Sequence, residues 1–220
     1  MNVLNFLQNG LTALFDAIMP PKARSARAKA RNLRDIPLEV MSHELLGTRV
    51  ITLMDYRKKE VQDLIHSLKY DASKHSAKMA AMLLADYLRE EISSARLYSQ
   101  KPILLIPIPL HKTRYAERGY NQIEIVLRAL PSEFKDGTLS TLAPKALARI
   151  RATAHQTKLR RAERIQNTVG AFSCPNPTLI ENSHIFLIDD VTTTGATLKS
   201  ASESMKKTSA QVTLLALARA

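Results

Sequence analysis

Apolar residues recur along this chain at two different spacings, and the change between them organises it. Leu4, Leu7, Leu11, Leu14, Phe15 and Ile18 fall on one face of a helix, which Pro20 and Pro21 then stop. This amphipathic helix either packs on the body of the protein or lies on a membrane surface with the following basic run as its anchor. From Lys22 to Pro37 the chain is polar, basic and alanine-rich, which reads as a linker or a short basic helix. A strand is predicted around Arg49–Met54. Helices follow at Val61, Leu64, Ile65 and Leu68, and at Met79, Leu83, Leu84 and Leu88. No internal repeat is visible.

Beyond Lys101 the pattern becomes strand, loop, helix. Ile103–Ile108 is a short apolar run that reads as a buried strand of a parallel sheet. A polar loop, LHKTRYAERGY, comes next, and Ile123, Val126, Leu127 and Leu130 then form a helical stripe. The unit repeats: Ile185–Ile188 is a strand, Asp189–Thr197 a loop, Leu198, Ala201 and Met205 a helix, and Val212–Leu217 another strand. Alternating strands and helices predict an α/β fold with a mainly parallel sheet flanked by helices. In such sheets ligands bind outside the carboxyl ends of the strands, where both loops fall.

Composition narrows the class. The chain has 220 residues, 45% hydrophobic and 24% charged, enough for one compact domain with an appendage and too apolar for a disordered chain. A single cysteine, Cys174, excludes an intramolecular disulfide and suits a reducing, cytoplasmic setting. No uninterrupted apolar run is long enough to span a bilayer. Asn5, Gln8, Asn9 and Asp16 break up Asn2–Met19, and no positive region precedes it, so no signal peptide is expected. The net charge of +12 sits in two stretches, Lys22–Arg34 and Lys145–Gly170, around a formally neutral remainder. Each stretch is either a site for anions or a solvated surface.

The loop Leu187–Leu198, LIDDVTTTGATL, carries the candidate chemistry. Two adjacent carboxylates end a buried strand, and a run of threonines, one glycine and a helix start follow. Gly195 permits positive φ and lets the backbone approach a ligand. The N–H groups of Thr193–Thr197 sit at a helix N-terminus whose dipole favours an anion, with the hydroxyls of Thr193, Thr194 and Thr197 as further donors. The loop has no Walker lysine and does not spell GxGxxG. Asp189 and Asp190 can accept hydrogen bonds from two vicinal hydroxyls or hold Mg²⁺. Phosphate, diol and metal together describe a phosphorylated ribose.

LIDDVTTTGAT resembles the signature of type I phosphoribosyltransferases, whose loop binds the 5-phosphate of phosphoribosyl pyrophosphate. Further segments resemble the ComF family, the competence-associated, phosphoribosyltransferase-like proteins of the ComFC and GntX type. They are Tyr56, Lys69 and Tyr70, then IPIPLHKTRYAERGYNQ (Ile106–Gln122), then RIRATAHQTKLRRAERIQNTVGAF (Arg149–Phe172), with LFDAIMPP (Leu14–Pro21) resembling the family's opening. The resemblance implies a type I phosphoribosyltransferase-like domain over 49–220, preceded by an N-terminal helix and basic segment over 1–48. It also implies Asp189 and Asp190 as catalytic carboxylates, and 5-phosphate contacts from Thr192, Thr193, Thr194, Gly195, Ala196 and Thr197. Leu110, His111, Lys112, Arg114 and Arg118 would form the pyrophosphate loop, with Arg118 as a surface helix residue the alternative. Gly119 and Asn121 shape a helix start. Arg149, Arg151, Gln156, Arg164 and Asn167 fall on a segment that is either a mobile loop closing over the site or a solvated or DNA-facing loop. His111 and His155 are acid–base groups or polar loop residues, and Cys174 receives no chemistry.

Family members typically carry a four-cysteine zinc finger after the Pro-Pro; here that place reads KARSARAKARNLR, so no zinc is expected. Lys22, Arg24, Arg27, Lys29, Arg31 and Arg34 either keep a nucleic-acid contact by charge alone or form a degenerate linker. The resemblance implies Mg²⁺ as cofactor. The implied partners are phosphoribosyl pyrophosphate, single-stranded DNA and competence helicase or DNA-processing proteins, in competence and DNA uptake. The alternatives are a phosphoribosyltransferase of nucleobase salvage, for which no base-binding hood is traceable, and a non-catalytic sensor of the sugar phosphate. The oligomeric state is not legible.

Overall fold

A computed structural model describes residues 26–28, 30–152 and 168–220. The predicted helix over 4–18 and Lys22, Arg24, Lys29, His155, Gln156, Arg164 and Asn167 lie outside the described residues.

The main sheet has six strands: β1 (Met41–Glu44), β2 (Arg49–Asp55), β3 (Ile103–Pro107), β4 (Thr141–Leu142), β7 (His184–Thr192) and β8 (Gln211–Arg219). Their order is β1-β2-β8-β7-β3-β4; β1 pairs antiparallel with β2, and every other pairing is parallel. The architecture is therefore α/β with a mostly parallel sheet flanked by helices. Alternation along the strands sends side chains to two cores. Leu105, Phe186, Ile188, Leu215 and Leu217 face helices α1 (Lys59–Asp71), α2 (Lys74–Tyr98) and α4 (Gln122–Arg128). Leu104, Ile106, Ile185, Leu187 and Leu214 face helix α5 (Ala196–Glu203) and Phe172. Each fully buried aliphatic or aromatic side chain contributes roughly 1.5–3 kcal/mol of transfer free energy, and the two cores together close both faces of β3 and β7.

The chain leaves β3 towards the β4 edge and leaves β7 through α5 towards β8, so its connections diverge at the β3–β7 boundary. Such a switch point opens a crevice at the carboxyl ends of the two strands. The register Pro107↔Ile188 and the bond from Ile108 N–H to the Ile188 carbonyl place the proline loop directly beside Asp189.

Three local features differ from the sequence expectation. The strand β7 runs through Asp189 and Asp190 to Thr192, because parallel pairing to β8 continues to Thr192↔Arg219. Within the predicted polar loop lies helix α3 (Lys112–Arg118). It is capped by His111, whose Nδ1 accepts from Thr113 N–H, and it is ended by Gly119 at φ 78°. A second, two-stranded sheet pairs β5 (Ala148–Arg149) with β6 (Phe172–Ser173), bringing together the two described ends of the Arg149–Phe172 segment.

The basic peptide is engaged in structure. Arg27 donates to the buried Asp63 of α1 through Nε at 3.0 Å and Nη2 at 2.9 Å, and Arg31 reaches the same carboxylate at 3.3 Å. Beside them Ala28 is fully buried, while Arg34 is exposed. Two of the six cations proposed for nucleic acid thus have an internal partner.

Candidate functional site

Because successive side chains of a strand point to opposite faces, the adjacent acids at the end of β7 do not share surroundings. Asp190 has the parity of Ile188 and faces α1 and α4. There its Oδ2 accepts from Gln122 Nε2 at 2.7 Å and stands 3.3 Å from the Lys69 ammonium. Gln122 in turn accepts from Arg118 at 3.0 Å through Oε1, so Arg118, Gln122, Asp190 and Lys69 form one connected network. Burial alone lowers the pKa of Lys69. The charges of Asp190, Tyr56 and Asp189 and the hydrogen bond to Asp190 outweigh it and raise the pKa above the ordinary value.

Asp189 has the parity of Leu187 and turns to the other face, and the charges of Lys69 and, more weakly, of Arg149 in β5 act on it. Burial and the adjacent Asp190 charge push its carboxyl up to about 7, against the pull of the Asp190 N–H, Lys69 and Arg149. Each carboxylate accepts the N–H of the next residue, Asp190 N–H to Asp189 Oδ1 at 2.9 Å and Val191 N–H to Asp190 Oδ1 at 2.6 Å, which fixes both at the strand end.

The predicted cradle follows. Thr192 is buried within β7, and its carbonyl accepts from Ala220 N–H. Thr193, Thr194 and Thr197 are half-buried, and Thr194 Oγ1 accepts from Ala196 N–H at the start of α5. Gly195 has φ 78°, and a Cβ there would stand 2.8 Å from the Leu45 Cβ, so a close approach of protein to protein already demands glycine. The bond from Lys199 Nζ to the Leu46 carbonyl ties α5 to the same hairpin. Thr168 Oγ1 donates to the Ala196 carbonyl, and Ser200 Oγ donates to the Thr168 carbonyl, which fastens the end of the Arg149–Phe172 segment to the first turns of α5.

Across the crevice, Leu110 is half-buried, His111 is a buried cap, Lys112 is exposed, and Arg114 and Arg118 are half-buried. Burial and the neighbouring Arg118 lower the pKa of Arg114, with Glu117, Asp190 and Tyr70 acting in the opposite sense. Burial likewise lowers that of Arg149, which lies within electrostatic reach of Asp189 and Arg114 and whose guanidinium stands 5.2 Å from the Phe172 ring centre. Arg151 is exposed and donates to the Val169 carbonyl at 2.6 Å. Asn121 caps α4 by accepting from Ile123 N–H and donates to the Ile108 carbonyl, so it shapes the loop, as expected. Cys174 is half-buried, and burial raises its thiol pKa.

The structure thus brings Asp189, Asp190, Arg114, Arg118 and Arg149 together with the threonine loop. It gives a position and partners to Gln122 and Lys69, which the sequence reading named only within the resemblance, without a role. Neither lies on an apolar stripe, so no periodicity marks them. At Asp189 the charges of Lys69 and Arg149 only partly offset burial and the neighbouring Asp190, so its carboxylate has room for a cation such as Mg²⁺, which is usually bound by one or two carboxylates plus substrate oxygens. Among the described residues no helix is long and apolar enough to cross a membrane.

No protein-family model matches the chain. It is 30% identical over 151 residues to the DNA utilization protein YhgH of Escherichia coli strain K12, covering 68% of this chain and 62% of that protein. It is 32% identical over 107 residues to Competence protein F of Haemophilus influenzae, covering 48% and 45% of the two chains. With Competence protein ComFC of Streptococcus pneumoniae the identity is 29% over 129 residues, 59% of this chain and 51% of that one. The aligned part therefore spans between about half and under two thirds of the curated relatives' lengths. Together with the α/β architecture, these similarities support a relationship of the chain to the ComF family.

Proposed function

We propose that this protein binds phosphoribosyl pyrophosphate with Mg²⁺ at the carboxyl ends of β3 and β7, and acts in competence or DNA utilization by handling single-stranded DNA. The observation that carries the first part is the split carboxylate pair. Asp190 is held in place by Lys69 and Gln122, whereas at Asp189 the charges of Lys69 and Arg149 only partly offset burial and the neighbouring Asp190. A sugar's vicinal hydroxyls would donate to these carboxylates, its 5-phosphate would meet the N–H groups and hydroxyls of Thr193–Thr197, and its pyrophosphate would meet Arg114, Arg118 and Arg149. Asp189 and Asp190 would hold Mg²⁺, which when bound neutralises pyrophosphate oxygens.

If the protein turns the ligand over, the bond from the anomeric carbon to pyrophosphate oxygen breaks with its electron pair on the oxygen. An acceptor's lone pair then forms the new bond. The aspartates would stabilise the positive charge on the ribose, and the arginines the charge on the departing group. The names of the relatives support the DNA role.

Titration calorimetry with phosphoribosyl pyrophosphate and Mg²⁺ tests the reading. Wild type is expected to bind at least about a hundred-fold more tightly than Asp189→Ala/Asp190→Ala, about 2.7 kcal/mol. Equal affinities would sink it. Release of inorganic pyrophosphate on adding candidate acceptors separates a transferase from a non-catalytic sensor.

A further inference from the structure

A guanidinium seated on a carboxylate holds both groups still and also neutralises both, as Arg27 and Asp63 do at 2.9 Å. Between Arg118 and Asp190 the structure places a neutral amide instead. Gln122 Oε1 accepts from Arg118 Nη1 at 3.0 Å, and Gln122 Nε2 donates to Asp190 Oδ2 at 2.7 Å. The guanidinium can only donate and the ionised carboxylate only accept, so the two partners together fix which way the amide points. Gln122 is 5% exposed, which leaves water little access to either bond. Its backbone is anchored as well. It opens α4 directly after Asn121, which caps the helix and donates to the Ile108 carbonyl, and Tyr120 Oη accepts from Ala72 N–H at 3.0 Å. On the far side, the Arg118 guanidinium stands 5.8 Å from the Tyr70 ring centre. Among the described residues Arg118 forms no ion pair with a carboxylate, whereas Asp190 already has the Lys69 ammonium at 3.3 Å.

We propose that Gln122 is a positioning residue of the sugar-pyrophosphate site, whose amide locates Arg118 for the pyrophosphate and Asp190 for the ribose side while leaving the charge of Arg118 uncompensated. A glutamate in its place would hold the guanidinium as firmly, but would neutralise it and turn a second carboxylate towards Asp190. An aliphatic residue would fill the space and hold neither partner. The bridge also makes the two half-sites interdependent, because losing either partner frees the amide that positions the other. The inference rests on the proposed binding of phosphoribosyl pyrophosphate and assigns to Gln122 the alignment of its two ends.

Titration calorimetry of the full chain at pH 8, with phosphoribosyl pyrophosphate and Mg²⁺, tests it through two near-isosteric variants and a double-mutant cycle. Gln122→Met and Gln122→Glu should each bind about ten-fold or more weakly than wild type. The glutamate variant separates positioning from space-filling, since it keeps the volume and the acceptor for Arg118; wild-type affinity in either variant would overturn the proposal. In the cycle, Arg118→Ala and Asp190→Asn should be non-additive, the double variant losing at least about five-fold less than the product of the two single losses. Repeated in the Gln122→Met background, the two losses should simply multiply. Additive losses in the wild-type background, or a coupling that survives Gln122→Met, would overturn the proposal while leaving the sugar-phosphate reading intact. Absence of binding by wild type would overturn that reading and this inference with it, so the two failures are told apart.

Discussion

Asp63 and Asp189 are two carboxylates withdrawn from water within reach of arginine, and the structure holds them in opposite states. Around Asp63, burial favours the neutral acid. The hydrogen bonds and charges of Arg27 and Arg31 outweigh it and keep the carboxyl below its ordinary value, and the Arg27 guanidinium is raised in return. Around Asp189, burial acts together with the adjacent Asp190, and Lys69 and Arg149 only partly offset them, so the carboxyl rises to about 7. The geometric difference is small: one acid receives three arginine hydrogen bonds, while the other accepts the backbone N–H of Asp190. The first arrangement is complete without a ligand. The second leaves positive charge to be supplied from outside, which is the property of a binding site rather than of a structural clasp.

Removing the paired acid is expected to have the largest effect. Asp63→Asn leaves Arg27 and Arg31 against a neutral group and should cost about 2–3 kcal/mol, less than a fully buried pair because Arg27 keeps access to water. At roughly 2–4 °C per kcal/mol this lowers Tm by about 5–10 °C, measurable by calorimetric melting. Since the folded pKa of Asp63 lies below its unfolded one, its contribution is present above the ordinary carboxylate range and lost as pH falls below about 4. An unchanged Tm at pH 7 would remove Asp63 from one side of the comparison.

The same change at Asp189 should carry the opposite sign. Its folded pKa lies above its unfolded one, so the folded state takes up protons, and stability declines as pH rises from about 4 to about 7. Asp189→Asn should therefore stabilise the free protein by about 1–2 kcal/mol at pH 8, discounted for partial exposure, and melt like wild type at pH 4. Destabilisation at pH 8 would mean that Asp189 is already compensated.

The smallest effect concerns Lys69, whose charge holds the Asp189 carboxyl down. Lys69→Met should move the Asp189 titration upward, read from the carbon shift of its carboxyl by NMR. It should also remove the ion pair that holds Asp190, a distance of 3.3 Å in the structure. No movement would assign Lys69 to Asp190 alone.

Much of this was legible in the chain. Apolar runs at Ile103–Ile108 and Ile185–Ile188, each followed by a helical stripe, announce parallel strands buried on both faces, and the acids and threonines after the second run mark where a ligand could sit. Other elements leave no such trace. Met41–Glu44 is an edge strand with almost no burial, and Lys112–Arg118 buries nothing, so neither carries a period. The β5–β6 pair is two residues long on each side and exists through a contact between Ala148–Arg149 and Phe172–Ser173 that no local rule anticipates.

The sequence by itself determined the α/β class, the positions of the central strands and the Asp-Asp-threonine loop, because burial periodicity and turn chemistry are local properties. Only the tertiary structure decided how the charges are divided. Asp63 with Arg27, Asp190 with Lys69 and Gln122, and Asp189 beside Arg149 are all pairings between distant segments. Whether a buried charge is satisfied depends on partners that only packing brings within a few ångströms, and so the same residue types serve as a clasp at one end of α1 and as an open site at the other.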